Sequence, residues 1–240
     1  MAVFSFDKLN STNSYLKQNF SDFANFDVIS AEEQTDGYGR FKRKWYDLGK
    51  DNIFMSICLK FDKFNENIVS ISQYTALILA KTFESYGSNP SIKWPNDVLI
   101  SSKKISGILA ETVFRNSEFS GIVLGLGINL NADNDDLSFI NQKATALNLE
   151  IGKRIDKTEF INKFMTYFKS GYSDYLKHGF NLYKDEYILR LNSFEKQVTV
   201  TTNNHPITGI VKGINNYGML ILDINGKIEE ISAGDISLNY

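Results

Sequence analysis

The segment "GIVLGLGINLN", residues 121 to 131, limits the possible folds more than any other stretch of the chain. It is apolar at nearly every position, so it reads as a strand buried on both faces, in the interior of a covered sheet. Three glycines, Gly121, Gly125 and Gly127, interrupt it. Glycine weakens a strand interior, a cost accepted where another group must lie closely against the backbone. Asn129, just beyond, has two readings. Its amide offers two donors and an acceptor, which suits a base edge such as adenine; alternatively it is a satisfied core amide beside a β-bulge.

The remaining pattern supplies covering layers. "STNSYLKQNFSDF" opens with capping residues and sets Leu16, Phe20 and Phe23 on one helical face. "DVISAEEQ" and "NIFMSICLKF" read as strands, and "ENIVSISQYTALILAKTFESYG" as a helix stopped at Gly87. "SIKW" and "ISGILAETVF" are further strands separated by turn residues. Two helical patterns, from Lys157 to about Leu191, break at His178-Gly179. From Gln197 the chain becomes short strands, with Asn225-Gly226 marking a type I′ hairpin. The expected fold is α/β, with a main domain over residues 1–192 and a small β-barrel over 193–240. At 240 residues and 42% hydrophobic content, such a chain can bury a real core.

Composition removes several kinds of chemistry. The single Cys58 lies in a strand-like run and reads as a buried, inert thiol. Only His178 and His205 are present, neither near a cysteine, so zinc sites and Ser-His-Asp catalysis are poorly supported. A net charge of -2 argues against nucleic-acid binding by bulk charge. No run approaches the roughly 18 to 20 apolar residues of a membrane span, and the first residues lack the pattern of a signal peptide. The expectation is a cytoplasmic protein with no DNA or membrane partner.

Against that background the segment "DGYGRFKRKW", Asp36 to Trp45, is unusual: four basic residues follow two glycines. It is neither a dinucleotide fingerprint nor a GxxxxGK[ST] loop. Gly37 and Gly39 allow close backbone approach to a ligand, and Arg40, Arg43 and Lys44 can supply donors to phosphate oxygens. A solvated basic turn and a nucleic-acid arm are the other readings. The segment "KWPNDVLISSKKISGILAE" follows at 93 to 111. Pro95 fixes a turn that would display Asn96 and Asp97 at a strand end, and Lys104 precedes a strand in which Gly107 permits close approach. One chemistry uses all of these together: nucleotidyl transfer from ATP to a carboxylic acid, in which fixed cations and Mg2+ stabilise charge on the phosphates.

With "STN" at 11–13, "EQTDGYGRFKRKW" at 33–45, "GLGINLN" at 125–131 and "AGDISL" at 233–238, these segments resemble the biotin protein ligases in order and spacing. The resemblance implies a mixed-sheet catalytic domain of the biotin/lipoate ligase type, similar to class II aminoacyl-tRNA synthetases, with an SH3-like C-terminal barrel. It also implies a two-step reaction. Biotin and Mg-ATP give biotinoyl-5′-adenylate, which then acylates a lysine of a biotin carboxyl carrier protein such as that of acetyl-CoA carboxylase. By the same resemblance Ser11, Thr12, Asn13, Gln34, Gly37, Tyr38, Gly39, Arg40, Lys104 and Gly107 would contact biotin. Arg40, Arg43, Lys44, Trp45, Lys93, Asn96 and Asn129 would contact ATP, and Lys104, Arg40, Arg43 and Asp97 would serve catalysis, Asp97 by handling the incoming lysine.

The loop departs from the family's usual pattern, close to GRGRRGRKW. Tyr38, Phe41 and Lys42 stand where an arginine, an arginine and a glycine are usual. That bears on adenylate retention and loop closure. Because Ser11-Thr12-Asn13 come so early, the expectation is a monofunctional ligase without the winged helix-turn-helix of bifunctional members, acting as monomer or homodimer. A lipoate or octanoate ligase or transferase, and a non-catalytic biotin-binding regulator, are the rival readings.

Overall fold

The computed structural model describes residues 1–133, 137, 143–202 and 205–238. In chain order the elements are β1 (Val3–Leu9), α1 (Thr12–Gln18), β2 (Val28–Gln34), β3 (Ile53–Lys60), α2 (Ile71–Glu84), β4 (Pro90–Lys93), β5 (Asp97–Ile100), β6 (Lys103–Arg115) and β7 (Glu118–Ile128). There follow α3 (Leu147–Ile151), α4 (Lys157–His178), α5 (Lys184–Arg190), β8 (Gln197–Thr202), β9 (His205–Ile214), β10 (Leu220–Ile224), β11 (Lys227–Ile231) and β12 (Asp235–Leu238). They form two compact units, Met1–Asn65 with Ser102–Ile161, and Glu66–Ser101 with Asn162–Tyr240. Among the described residues no helix is long and apolar enough to cross a membrane.

The first unit is built on a mixed sheet in the order β1-β2-β3-β7-β6, parallel only at β1–β2. As its sequence requires, β7 is interior: Ile122, Val123, Leu124, Leu126 and Ile128 are all buried. Opposed residues in antiparallel register share a face. Phe54, Gly127 and Gly107 therefore make one row, Ser56, Gly125 and Leu109 a second, and Cys58, Val123 and Glu111 a third.

Helix α1 lies on this face. Ser11 caps it, its Oγ accepting from the Ser14 amide at 3.4 Å, and Leu16 packs with Phe20, Phe23, Ile29, Cys58, Val113 and Val123. The helix ends at Gln18, one turn earlier than periodicity suggests, and Phe20 enters the core from a 3-10 turn instead. Burial raises the Cys58 thiol to about 11, so it is an inert core thiol at neutral pH. Strand β1 has no counterpart in the sequence reading. Three of its seven residues, Val3, Phe4 and Ser5, are exposed in succession, so no apolar alternation announces it.

In the second unit α2 ends at Glu84, and Gly87 adopts φ +87° just beyond, as the stop signal predicts. Tyr74 of α2 stacks on Tyr175 of α4 at 4.5 Å and donates to the Phe168 carbonyl at 2.7 Å. Strands β4 and β5 form a hairpin whose last pair is Lys93 opposite Asp97. Asp97 thus begins a strand and is half-buried, where the turn chemistry alone suggests full display. Trp94 in that turn is 1% exposed, and the Trp94–Pro95 bond is cis. The helices break at Gly179, φ +73°, as expected.

The C-terminal strands form an antiparallel sheet in the order β11-β10-β9-β8-β12. It is left open in this order among the described residues, β11 and β12 being its edges. Asn225 and Gly226 both have positive φ, the requirement of a type I′ turn. The β9–β10 turn is tied down within the same unit: the Gly218 carbonyl accepts from Trp94 Nε1 at 2.8 Å and from Gln73 Nε2 at 3.1 Å.

Candidate active site

The sheet face of the first unit is floored by glycine. A Cβ at Gly125 would lie 2.1 Å from Asn13 Oδ1, and one at Gly127 would lie 2.3 Å from Trp45 Cε2. One at Gly107 would lie 2.7 Å from the Trp45 ring and 3.3 Å from Lys104 Nζ. The glycines in β6 and β7 therefore make room for two side chains that the sequence singles out, Asn13 and Trp45.

Around Asn13 the first turn of α1 forms a polar bay. Gln34 Oε1 accepts from the Thr12 amide at 2.8 Å and from Thr12 Oγ1 at 3.2 Å. Ser56 Oγ donates to Asn13 Oδ1 at 2.6 Å and lies 2.8 Å from Thr12 Oγ1. Ser11, Thr12 and Asn13 are each 4% exposed, and Gly37 lies directly on Gln34, a Cβ there falling 2.9 Å from Nε2. So Ser11, Thr12, Asn13, Gln34 and Gly37 are brought together. Ser56 joins them without a sequence signal, because its place depends on the register of β3 against β7.

The basic segment is a small hairpin. Tyr38 bridges Lys44, the Gly39 amide donates to the Arg43 carbonyl at 2.8 Å, and the Trp45 amide donates to the Gly37 carbonyl at 2.9 Å. Its tip, Arg40–Lys42, is a 3-10 turn with φ +55° at Phe41 and +57° at Lys42. Each departure from the usual loop has an aromatic–cation partner. Lys42 Nζ stands 3.6 Å above the Tyr38 ring, and the Phe41 ring faces the Arg40 and Arg43 guanidinium carbons at 5.0 and 5.6 Å. Such contacts contribute about 0.5–1 kcal/mol each where exposed. At the base of the loop Lys104 Nζ lies 5.2 Å over the Trp45 ring. Trp45 Nε1 is buried with no acceptor among the described residues, a desolvation cost at the centre of the site.

Glu111 is the residue that sequence reasoning missed. Its Oε2 accepts from Asn13 Nδ2 at 2.9 Å and from Tyr38 Oη at 3.0 Å, and its Oε1 pairs with Lys17 at 2.9 Å. Burial pushes the carboxyl up, but the hydrogen bonds from Lys17, Asn13 and Tyr38 outweigh it and hold it below its ordinary value.

Asn129 is 5% exposed, and its Nδ2 donates to the Thr145 carbonyl at 3.0 Å. The Thr145 amide in turn donates to the Lys104 carbonyl at 2.9 Å. Asn129 thereby fixes the backbone beside Lys104 in addition to any ligand it meets. Lys93, Asn96 and Asp97 belong to the second unit. There the Tyr187 phenol is buried, and desolvation together with the Asp97 charge raises its pKa. Among the described residues no three His, Cys, Asp or Glu side chains gather as a metal site, and none is assigned to Mg2+. The face can bind an anion and a polar ring side by side.

The chain is similar to known proteins in sequence and in fold. The model of the Biotin/lipoate A/B protein ligase family matches residues 5–129, and that of the Biotin protein ligase C terminal domain matches residues 193–239. The bifunctional ligase/repressor BirA of Bacillus subtilis is 31% identical over 216 residues, which are 88% of this chain and 66% of that protein. The chain thus spans slightly less than two thirds of that relative. The biotin--[acetyl-CoA-carboxylase] ligase of Mycobacterium tuberculosis is 27% identical over 94% of this chain and 85% of its own length. In fold, the chain is similar to the biotin protein ligase from Aquifex aeolicus in complex with biotin and ATP, at a TM-score of 0.82 and 24% identity, covering 99% of this chain and 98% of that one. The chain belongs to the biotin/lipoate A/B protein ligase family.

Proposed function

We propose that the protein is an ATP-dependent biotin protein ligase that joins biotin to one lysine of a biotin carboxyl carrier protein. The observation that carries this reading is the cationic hairpin Tyr38–Trp45 set beside the polar bay of Thr12, Asn13, Gln34 and Ser56 on one glycine-floored face. In the first step a carboxylate oxygen of biotin attacks the α-phosphorus of Mg-ATP. The bond to the bridging oxygen breaks, and pyrophosphate leaves with the electron pair. Negative charge then grows on the phosphates, where Arg40, Arg43 and Lys104 stabilise it without reorganising. In the second step the neutral carrier amine attacks the acyl carbon, AMP departs, and the nitrogen loses its extra proton.

The bay favours a ureido ring over a plain acyl chain. Buried polar groups left unpaired by the wrong ligand cost affinity, which is how such a site discriminates. Ser11, Thr12, Asn13, Gln34 and the backbone at Gly37, Tyr38 and Gly39 serve biotin, with Gly107 beside its carboxylate end; Lys44, Trp45 and Asn129 serve the nucleotide. Lys93 and Asn96 serve the nucleotide as well, and Asp97 handles the acceptor lysine. Residues 1–192 form the catalytic domain and 193–240 the C-terminal module. A reaction drawing on ATP and a carboxylase carrier belongs in the cytoplasm.

The test is pyrophosphate–ATP exchange by the purified protein with Mg2+, adding biotin, lipoate or octanoate separately. Exchange with biotin alone is the expected result. Exchange with lipoate or octanoate instead would move the protein to the lipoate branch of the family, and no exchange with any acid would leave a binding protein.

A further inference from the structure

The three positions at which the basic loop departs from its family's usual pattern are not scattered losses of charge. Each makes an aromatic–cation contact. Phe41 faces the two arginines, Lys42 caps Tyr38, and Tyr38 reaches Glu111 through its hydroxyl. Ser14 Oγ lies 3.4 Å from the same hydroxyl. Glu111 is itself fixed from α1, by Lys17 and Asn13, and sits on β6 opposite the apolar Val123. The carboxylate therefore joins three pieces of chain through side-chain hydrogen bonds to a charged group: the helix, the sheet and the loop.

We propose that Glu111 and Tyr38 are a positioning pair that latches the basic loop closed before any substrate arrives. The pair acts through the loop and touches no reacting atom. In a loop rich in glycine and arginine, ordering is deferred until an anion binds, and part of the binding free energy is spent on it. Here one glycine is replaced by Lys42 and two arginines by aromatic rings, and aromatic rings under cations order the same segment from within. The consequence rests on the ligase reading above: the adenylate, once made, is held by a loop whose open state is disfavoured, so it escapes slowly although the loop has fewer arginines.

The first test needs no substrate. Trypsin cuts after Arg40, Lys42, Arg43 and Lys44, all of them in the loop, so the rate of cleavage there in the intact, ligand-free protein reports opening. Tyr38→Phe keeps the ring beneath Lys42 and removes the hydroxyl that donates to Glu111 and meets Ser14. It should speed loop cleavage about tenfold, the loss of one hydrogen bond to a charged group, with Tm unchanged. Glu111→Gln should speed loop cleavage by a similar factor while also lowering Tm at neutral pH, and Lys17→Met should have a smaller effect on cleavage. The second readout is release of biotinoyl-adenylate, which should accelerate by a similar factor in Glu111→Gln.

Unchanged loop cleavage in both Tyr38→Phe and Glu111→Gln would overturn the latch. So would cleavage that rises equally at sites far from the loop, because that reports general loosening. The protease result is independent of activity: wild-type protection that Tyr38→Phe abolishes, in a protein that shows no exchange, would sink the ligase reading and leave the latch standing.

Discussion

Gly127 shows what a single hydrogen atom in place of a methyl group can decide. The Trp45 ring occupies the space where a Cβ would sit, with three ring atoms within 2.3 to 2.7 Å of that position. We expect Gly127→Ala to displace the indole, cost about 1–3 kcal/mol from overpacking, and lower pyrophosphate exchange through a raised KM for ATP. Urea denaturation and exchange kinetics would check both parts, and an unchanged KM would show that Trp45 does not serve the nucleotide. Glu111 makes a second prediction at this scale. Its folded pKa lies below the ordinary carboxyl value of 4.5, so its contribution to stability is fully present above that pH and is lost as pH falls through the lower, folded value. The charged and titratable groups facing it are Lys17 and Tyr38, with Lys42 above the phenol. Tryptic fragments would be uninformative in acid, so the measurement is Tm against pH for wild type and Glu111→Gln. The two curves should converge as the pH falls through the lowered pKa of Glu111, and a constant gap would contradict the prediction. None of this was legible from the sequence, since Glu111 finds its partners 73 to 98 positions away.

Among the elements, the β4–β5 hairpin and the β9–β10 turn depend on each other. The Gly218 carbonyl takes hydrogen bonds from both Trp94 and Gln73, and Gly218 has φ +76°. A Cβ there would fall 3.0 Å from Gln73 and 3.1 Å from Ser70, so alanine is opposed by backbone strain and by crowding together. Gly218→Ala should destabilise the protein by about 1–3 kcal/mol. An unaltered denaturation midpoint would mean that the turn is not anchored as described. The sequence announced some of these elements better than others. Apolar runs and stop signals gave β3, β7, α2 and the Asn225-Gly226 hairpin, because each carries its own periodicity or turn chemistry. Strands β1 and β5 were silent. The first has no apolar alternation, and the second is four residues placed immediately after a turn whose chemistry reads as loop.

At the scale of the molecule, the chain enters the first unit twice and the second unit twice, crossing after Asn65, Ser101 and Ile161. Sequence reading divides it once, near residue 192, because composition changes there while the earlier crossings fall within ordinary α/β patterning. The candidate site was more legible than that architecture. Charge and glycine are conspicuous in one dimension, so the loop, the Ser11–Asn13 turn and the glycines of β7 could be singled out from the residues alone. What they touch could not, because contact is a property of register. One feature of that contact map reaches beyond binding and stability. The chain's two tryptophans fall one to each unit, Trp45 against Gly107 and Gly127 with Lys104 above it, and Trp94 hydrogen-bonded to Gly218. Their light emission is thus a built-in pair of beacons, and silencing either one by a change to phenylalanine leaves a native optical signal that belongs to a single half of the protein.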